Sequence, residues 1–108
     1  MQPTLEAILK HIQRLEKRRE ILRKSLSKKG YSIKTINGNE YVYTWYYDGG
    51  KKRWKYLGPL GLFDLKAIRH KEVKVILEEI KKIDEVLKEV EKKLREIEEI
   101  LGVLRSNI

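Results

Sequence analysis

Eight cations crowd into a short stretch, Arg14, Lys17, Arg18, Arg19, Arg23, Lys24, Lys28 and Lys29, with Glu16 and Glu20 as the only carboxylates among them. That exceeds what a solvated face requires and points to phosphate binding. A second group joins Lys51, Lys52, Arg53 and Lys55 to the rings of Tyr43, Trp45, Tyr46 and Trp54. Rings that stack on unpaired bases beside cations that hold phosphates make a nucleic-acid platform, and a narrow sheet of this kind also fits the major groove of duplex DNA. The same rings would equally serve as a small core between sheet and helices, with the lysines shielding an edge strand.

The charge is asymmetric. The 108 residues carry a net +9; residues 1–30 hold nine Lys or Arg against three Glu, residues 31–57 five against two, and residues 58–108 eleven of each sign. A surplus confined to one part of a small chain makes a local field that a polyanion feels.

The elements that position these groups follow from periodicity. Leu5, Ile8, Ile12, Leu15, Leu22 and Leu26 repeat at three-four spacing with Arg19 in the remaining slot. This predicts a helix over 4–28, capped by Thr4 and stopped at Gly30. Arg19, on the seam, is expected to snorkel, to pair with a Glu of the later helix or to set the register of the bundle. After Gly30 the period becomes two. Asn37-Gly38 suits a type I′ turn and Asp48-Gly49-Gly50 a second, giving three antiparallel strands within 31–57.

Val73, Ile76, Ile80, Ile83, Leu87, Val90, Leu94, Ile97, Leu101 and Leu104 then repeat three-four without a break. The expected helix covers 64–104 with Asp64 as N-cap, about 60 Å against about 37 Å for the first. The fold class is α+β: helix, three-stranded meander, long helix, one domain over 1–108. The helices form an antiparallel coiled-coil-like hairpin, whose ten-residue stripe becomes the core of a homodimeric bundle because the shorter helix cannot cover it. Leu77, Val86 and Ile100 widen the stripe toward three or four helices. The acids of the long helix read as a solvated face, with Glu78, Asp84 and Glu89 beside Lys82, Lys88 and Lys93.

Several classes are set aside. With no Cys there is no disulfide, thiol catalysis or thiolate metal site. His11 and His70 are isolated, and Gly49, Gly50, Gly58 and Gly61 form no Walker or dinucleotide loop. No enzyme, cofactor or metal is expected. Nothing reads as a secretory or spanning segment, so a soluble cytoplasmic protein without membrane contact is the expectation. Abundant Lys and Glu without Cys is a hyperthermophile bias and suggests a thermophilic source.

Gly38-Asn39-Glu40-Tyr41-Val42-Tyr43, Asp48-Gly49-Gly50-Lys51 and Lys55-Tyr56-Leu57-Gly58 together resemble the tyrosine-rich hairpin of small uncharacterised proteins found largely in archaea. The resemblance implies the helix, sheet, helix order and an archaeal or mobile-element setting. It implies no catalytic residue.

The partner expected from the residues is nucleic acid, DNA before RNA. Charge reversal at Arg18, Arg23, Lys52 and Arg53 should abolish binding with the fold intact. A protein-binding scaffold that uses the apolar stripe is the alternative.

Overall fold

Thr4 opens the first helix as its type suggests, its Oγ1 accepting from Ala7 N at 3.1 Å. The structure, a computed structural model, describes residues 4–62, 65 and 68–106. Helix α1 spans Leu5–Lys28, and Gly30 follows with φ 88°, a left-handed conformation open to glycine. Strands β1 (Tyr31–Ile36), β2 (Asn39–Asp48) and β3 (Lys51–Pro59) form an antiparallel sheet in the order β1-β2-β3. At the first turn Asn37 and Gly38 both take positive φ, 52° and 79°, as a type I′ turn needs. A 3-10 turn, Leu60–Leu62, precedes helix α2, Lys71–Ser106. The chain is thus α+β, with the predicted order of elements.

Two boundaries differ from expectation. The sheet runs to Pro59, because a bulge sets Val42 opposite Gly58 and Tyr43 opposite Tyr56, leaving Leu57 without an opposite residue and half-buried against the core. Helix α2 starts at Lys71, seven positions after the expected start, with His70 beside its first turn: Nδ1 of His70 accepts from Val73 N at 3.3 Å. Asp64, the expected cap, lies outside the described residues.

The core sits at one end. Leu22 and Leu26 of α1 meet Val42 of β2, Leu60, Ile68, and Val73, Ile76, Leu77, Ile80 and Ile83 of α2. Four of the ten residues expected to form a dimer core, Val73, Ile76, Ile80 and Ile83, are therefore buried within one chain. The physical reason is that α1 and the sheet both pack on that stretch. Leu87 and Val90 are half-buried, and every residue from Glu91 to Ser106 is exposed. The molecule measures 67 × 31 × 23 Å, with α2 about 54 Å of that length and α1 about 36 Å.

Candidate nucleic-acid interface

Cross-strand register decides which side chains share a face of the sheet. Tyr43 lies opposite Ser32 and Tyr56, Trp45 opposite Trp54, Tyr47 opposite Lys52, and Lys34 opposite Tyr41. Val42, fully buried on the core, fixes the other face as the one packed on the helices. The Tyr41, Tyr43, Trp45 face is therefore the outer one. There Trp45 and Trp54 meet edge to face at 5.1 Å, and Tyr56 touches Tyr43 and Tyr41 at 5.2 and 6.2 Å between centroids. Lys34 stands 4.7 and 4.9 Å from the ring centres of Tyr43 and Trp54, and Lys52 4.2 and 4.8 Å from those of Trp45 and Trp54. Ring quadrupoles hold both ammonium groups above an outer surface.

The sheet is not three strands wide throughout. The last pairing of β1 is Tyr31 with Thr44, whose Oγ1 donates to Gly30 O at 2.8 Å. Beyond it Trp45 N still donates to Gly30 O at 3.2 Å, and from Tyr46 opposite Arg53 to Asp48 opposite Lys51 β2 and β3 pair only with each other. This two-stranded ribbon reaches about 13 Å past β1. Its faces are distinct. Trp45, Tyr47, Lys52 and Trp54 lie on the outer face, while Tyr46 opposite Arg53, and Lys55 opposite Thr44, lie on the helix side. All of these cations are exposed, as is Tyr46 at 51%, so among the described residues no helix covers that side of the ribbon. Of the expected stacking residues, Tyr43, Trp45 and Trp54 share the outer face and Tyr46 does not. Lys51, Lys52, Arg53 and Lys55 make no ion pair among the described residues.

The cations of α1 divide into two sets. Arg18 is bonded to Glu79 through Nε and Nη2 at 2.8 and 3.2 Å, Arg23 to Glu40 at 2.7 Å, and Lys29 to Glu72. These three were expected to meet phosphate and instead clamp α1 to α2 and to the sheet. Reversing Arg18 or Arg23 would thus break contacts of the fold as well as any phosphate contact. The other set, Arg14, Lys17, Lys24 and Lys28, is exposed and unpaired among the described residues. It occupies the far side of α1 from Leu15, Leu22 and Leu26, which face the core. Of the cations expected to meet phosphate along α1, only this second set is left outside ion pairs among the described residues.

Arg19 pairs with the long helix as expected, but with an aspartate: Nη1 meets Asp84 Oδ1 at 2.9 Å. Asp84 is buried at 6% exposure and is no part of a solvated face. The expected neighbours Lys82, Lys88 and Lys93 form no ion pair with Glu78, Asp84 or Glu89; the one pair within α2 is Arg95 with Glu91. Burial pushes the Asp84 carboxyl above its ordinary value and outweighs the Arg19 hydrogen bond; its Oδ2 has no partner among the described residues, and Glu40 adds repulsion. A raised carboxyl favours the fold while protonated, and that contribution fades as pH rises through the folded value. Asp84→Asn, which mimics the protonated carboxyl, should accordingly gain stability relative to wild type from about pH 3 to about pH 7 in urea titrations. A wild type that gains on the variant as pH rises would contradict this account. Glu72 and Glu79 have the opposite sign: hydrogen bonds from Lys29 and Arg18 lower them, so their contribution is lost on acidification.

Two outer-face residues escaped the sequence reading, Lys34 and Tyr56. Both could have been found by counting outward from the Asn37-Gly38 turn, which sets Lys34 opposite Tyr41, and then from Asp48-Gly49-Gly50-Lys51 to Tyr56. Among the described residues no three His, Asp or Glu side chains gather in a way that could hold a metal ion, and no helix is long and apolar enough to cross a membrane. Comparison with protein families, with curated proteins and with solved structures finds no match for the chain.

Proposed function

We propose that this chain binds DNA through the free end of its β2–β3 hairpin. The observation that carries the reading is the ribbon from Trp45 to Trp54, which extends past β1 with Lys52 on one face, Arg53 on the other and Lys51 at the turn. A major groove about 12 Å wide admits a two-stranded ribbon, and a ribbon with cations on both faces meets phosphate on either side as it enters. Lys55 adds a fourth contact at its base. The rings stiffen the ribbon and hold Lys52 in place. Of the seven cations expected to meet phosphate along α1 and at its C-terminal cap, Arg18, Arg23 and Lys29 are engaged in ion pairs and only Arg14, Lys17, Lys24 and Lys28 are left, so α1 is secondary. The acting form is a homodimer joined through the exposed end of α2 at Leu94, Ile97, Leu101 and Leu104, with Leu87 and Val90 completing the seam.

The rings of Tyr43, Trp45, Trp54 and Tyr56 on one outer face favour a second reading, stacking on unpaired bases. Anisotropy titrations with a duplex of about 20 base pairs and its separated strands decide between them. Tighter binding to duplex, weakening steeply with salt, is expected. Preference for the single strand, lost in Trp54→Ala, would move the assignment to the outer face. Absence of binding to either at low salt would reject both.

A further inference from the structure

The outer face of the sheet continues from the ribbon back over the three-stranded part and carries chemistry of its own. Tyr41, Tyr43, Trp45 and Tyr47 of β2 run along it beside Trp54 and Tyr56 of β3, six rings over about 20 Å of strand. The sheet has two acids, Glu40 and Asp48, and both alternate with the rings onto the opposite side, where Glu40 bonds to Arg23. The outer face is left with the ammonium groups of Lys34 and Lys52, each standing over two rings at the height where a phosphate would pass. Its rings stay in water: Trp54 is 46% exposed, Tyr56 51% and Tyr47 72%. We infer that this face holds an unpaired strand that continues from the duplex at the ribbon, so that the DNA preferred by this chain is one in which paired and unpaired segments meet.

The inference rests on the ribbon reading and adds a second surface to it. Three observations join the two. Trp45, Trp54 and Lys52 belong to both, so a strand that leaves the ribbon along the sheet meets Tyr43 and Tyr56 next. A duplex does not follow it there, because β1 joins at Tyr31 opposite Thr44 and widens the sheet by about 5 Å, whereas a major groove about 12 Å wide suits two strands. The chemistry of the rings selects the same occupant. Paired bases present only their edges in the groove, whereas an unpaired base offers a face that stacks on any ring whatever its sequence. The rings left idle by a duplex are thus the ones an unpaired strand uses, with Lys34 and Lys52 on its phosphates and no carboxylate to repel them. A sheet of this length accommodates about two or three stacked bases.

Anisotropy titrations of the full chain at about 100 mM salt test this with a blunt duplex of about 20 base pairs, the same duplex carrying about three unpaired thymidines at its 3′ or its 5′ end, and a single strand of the tailed length. One of the tails raises affinity about tenfold or more over the blunt duplex, and the tailed duplex also binds more tightly than the single strand. Replacing Tyr43 and Tyr56 by Ala removes that increment, while Phe at both positions keeps it, since stacking needs the ring and not the hydroxyl. Tyr56→Ala alone, at a ring half in water, lowers the increment with less demand on the fold, and circular dichroism confirms that each variant is folded. Equal affinity for the blunt and both tailed duplexes overturns the inference and leaves the ribbon reading standing. A single strand that binds as tightly as the tailed duplex overturns it as well, because the ribbon then contributes nothing. An increment that survives loss of both rings in a folded variant places the tail on some other surface and refutes this one. Absence of binding to every probe rejects the ribbon reading and the inference together.

Discussion

Replacing Lys51, Lys52, Arg53 and Lys55 together by Ala should cut affinity for duplex DNA by at least about 100-fold at about 50 mM salt and flatten its salt dependence. Four cations on four phosphates give a log–log slope of about −3.6, which by itself amounts to a fall of about 150-fold between about 50 and 200 mM salt. The control removes the same charge elsewhere. Arg14, Lys17, Lys24 and Lys28 are four exposed cations on α1, so their replacement by Ala lowers the net charge equally. If the ribbon is the site, that second variant keeps most of the slope. Equal losses in the two variants would mean that DNA senses only the mean field of the protein, and an unaffected ribbon variant would end the proposal. Neither quadruple change removes an ion pair among the described residues. The main structural cost is the Lys52 contact with Trp45 and Trp54, of order 0.5–1 kcal/mol at an exposed site.

The α1 control is needed because sequence alone could not separate the two groups of cations. Within an element, local rules were sufficient. Thr4, Gly30 and Asn37-Gly38 each meet a backbone requirement of their own position, and the structure uses all three. Arg19 was legible for a similar reason, since it interrupts an apolar stripe and must find a carboxylate. Which carboxylate depends on the relative rotation of two helices, a tertiary quantity. Arg18 meets Glu79 and Arg19 meets Asp84 across more than sixty residues, and no local spacing predicts either. Asp84 looked solvated because it follows a seam position; the sheet packs on that side of α2 and buries it with Leu77. The start of α2 was misread by weighing Asp64 as a cap over the apolar repeat, whose first member, Val73, comes one turn after His70. The ribbon was hidden for a simpler reason. Six residues in β1 against ten in β2 leave the tip of the hairpin unpaired, and the boundary at Gly30 already required it.

Leu26→Ala should destabilise the chain by about 2–5 kcal/mol, a large share of the 5–15 kcal/mol available to a domain of ordinary stability. Leu26 is fully buried where α1 meets β2 and α2, together with Leu22, Val42 and Leu77, so its loss opens a cavity at the one point all layers share. The same substitution at Leu101, 45% exposed near the far end of α2, should cost under about 1 kcal/mol in dilute monomer. Its effect appears with concentration. Because Leu101 lies on the exposed stripe proposed to join two copies, its truncation is expected to weaken pairing and remove the concentration dependence of the urea midpoint. Leu26→Ala lowers that midpoint at every concentration. If Leu101→Ala is as damaging as Leu26→Ala in dilute solution, the end of α2 contributes to the fold of a single chain and the division of labour along the rod is wrong. If the two differ as described, the core at the sheet end sets the ribbon in place while the exposed end holds two ribbons on one molecule. The gain in DNA affinity from pairing then follows from linkage of two sites and needs no further contact.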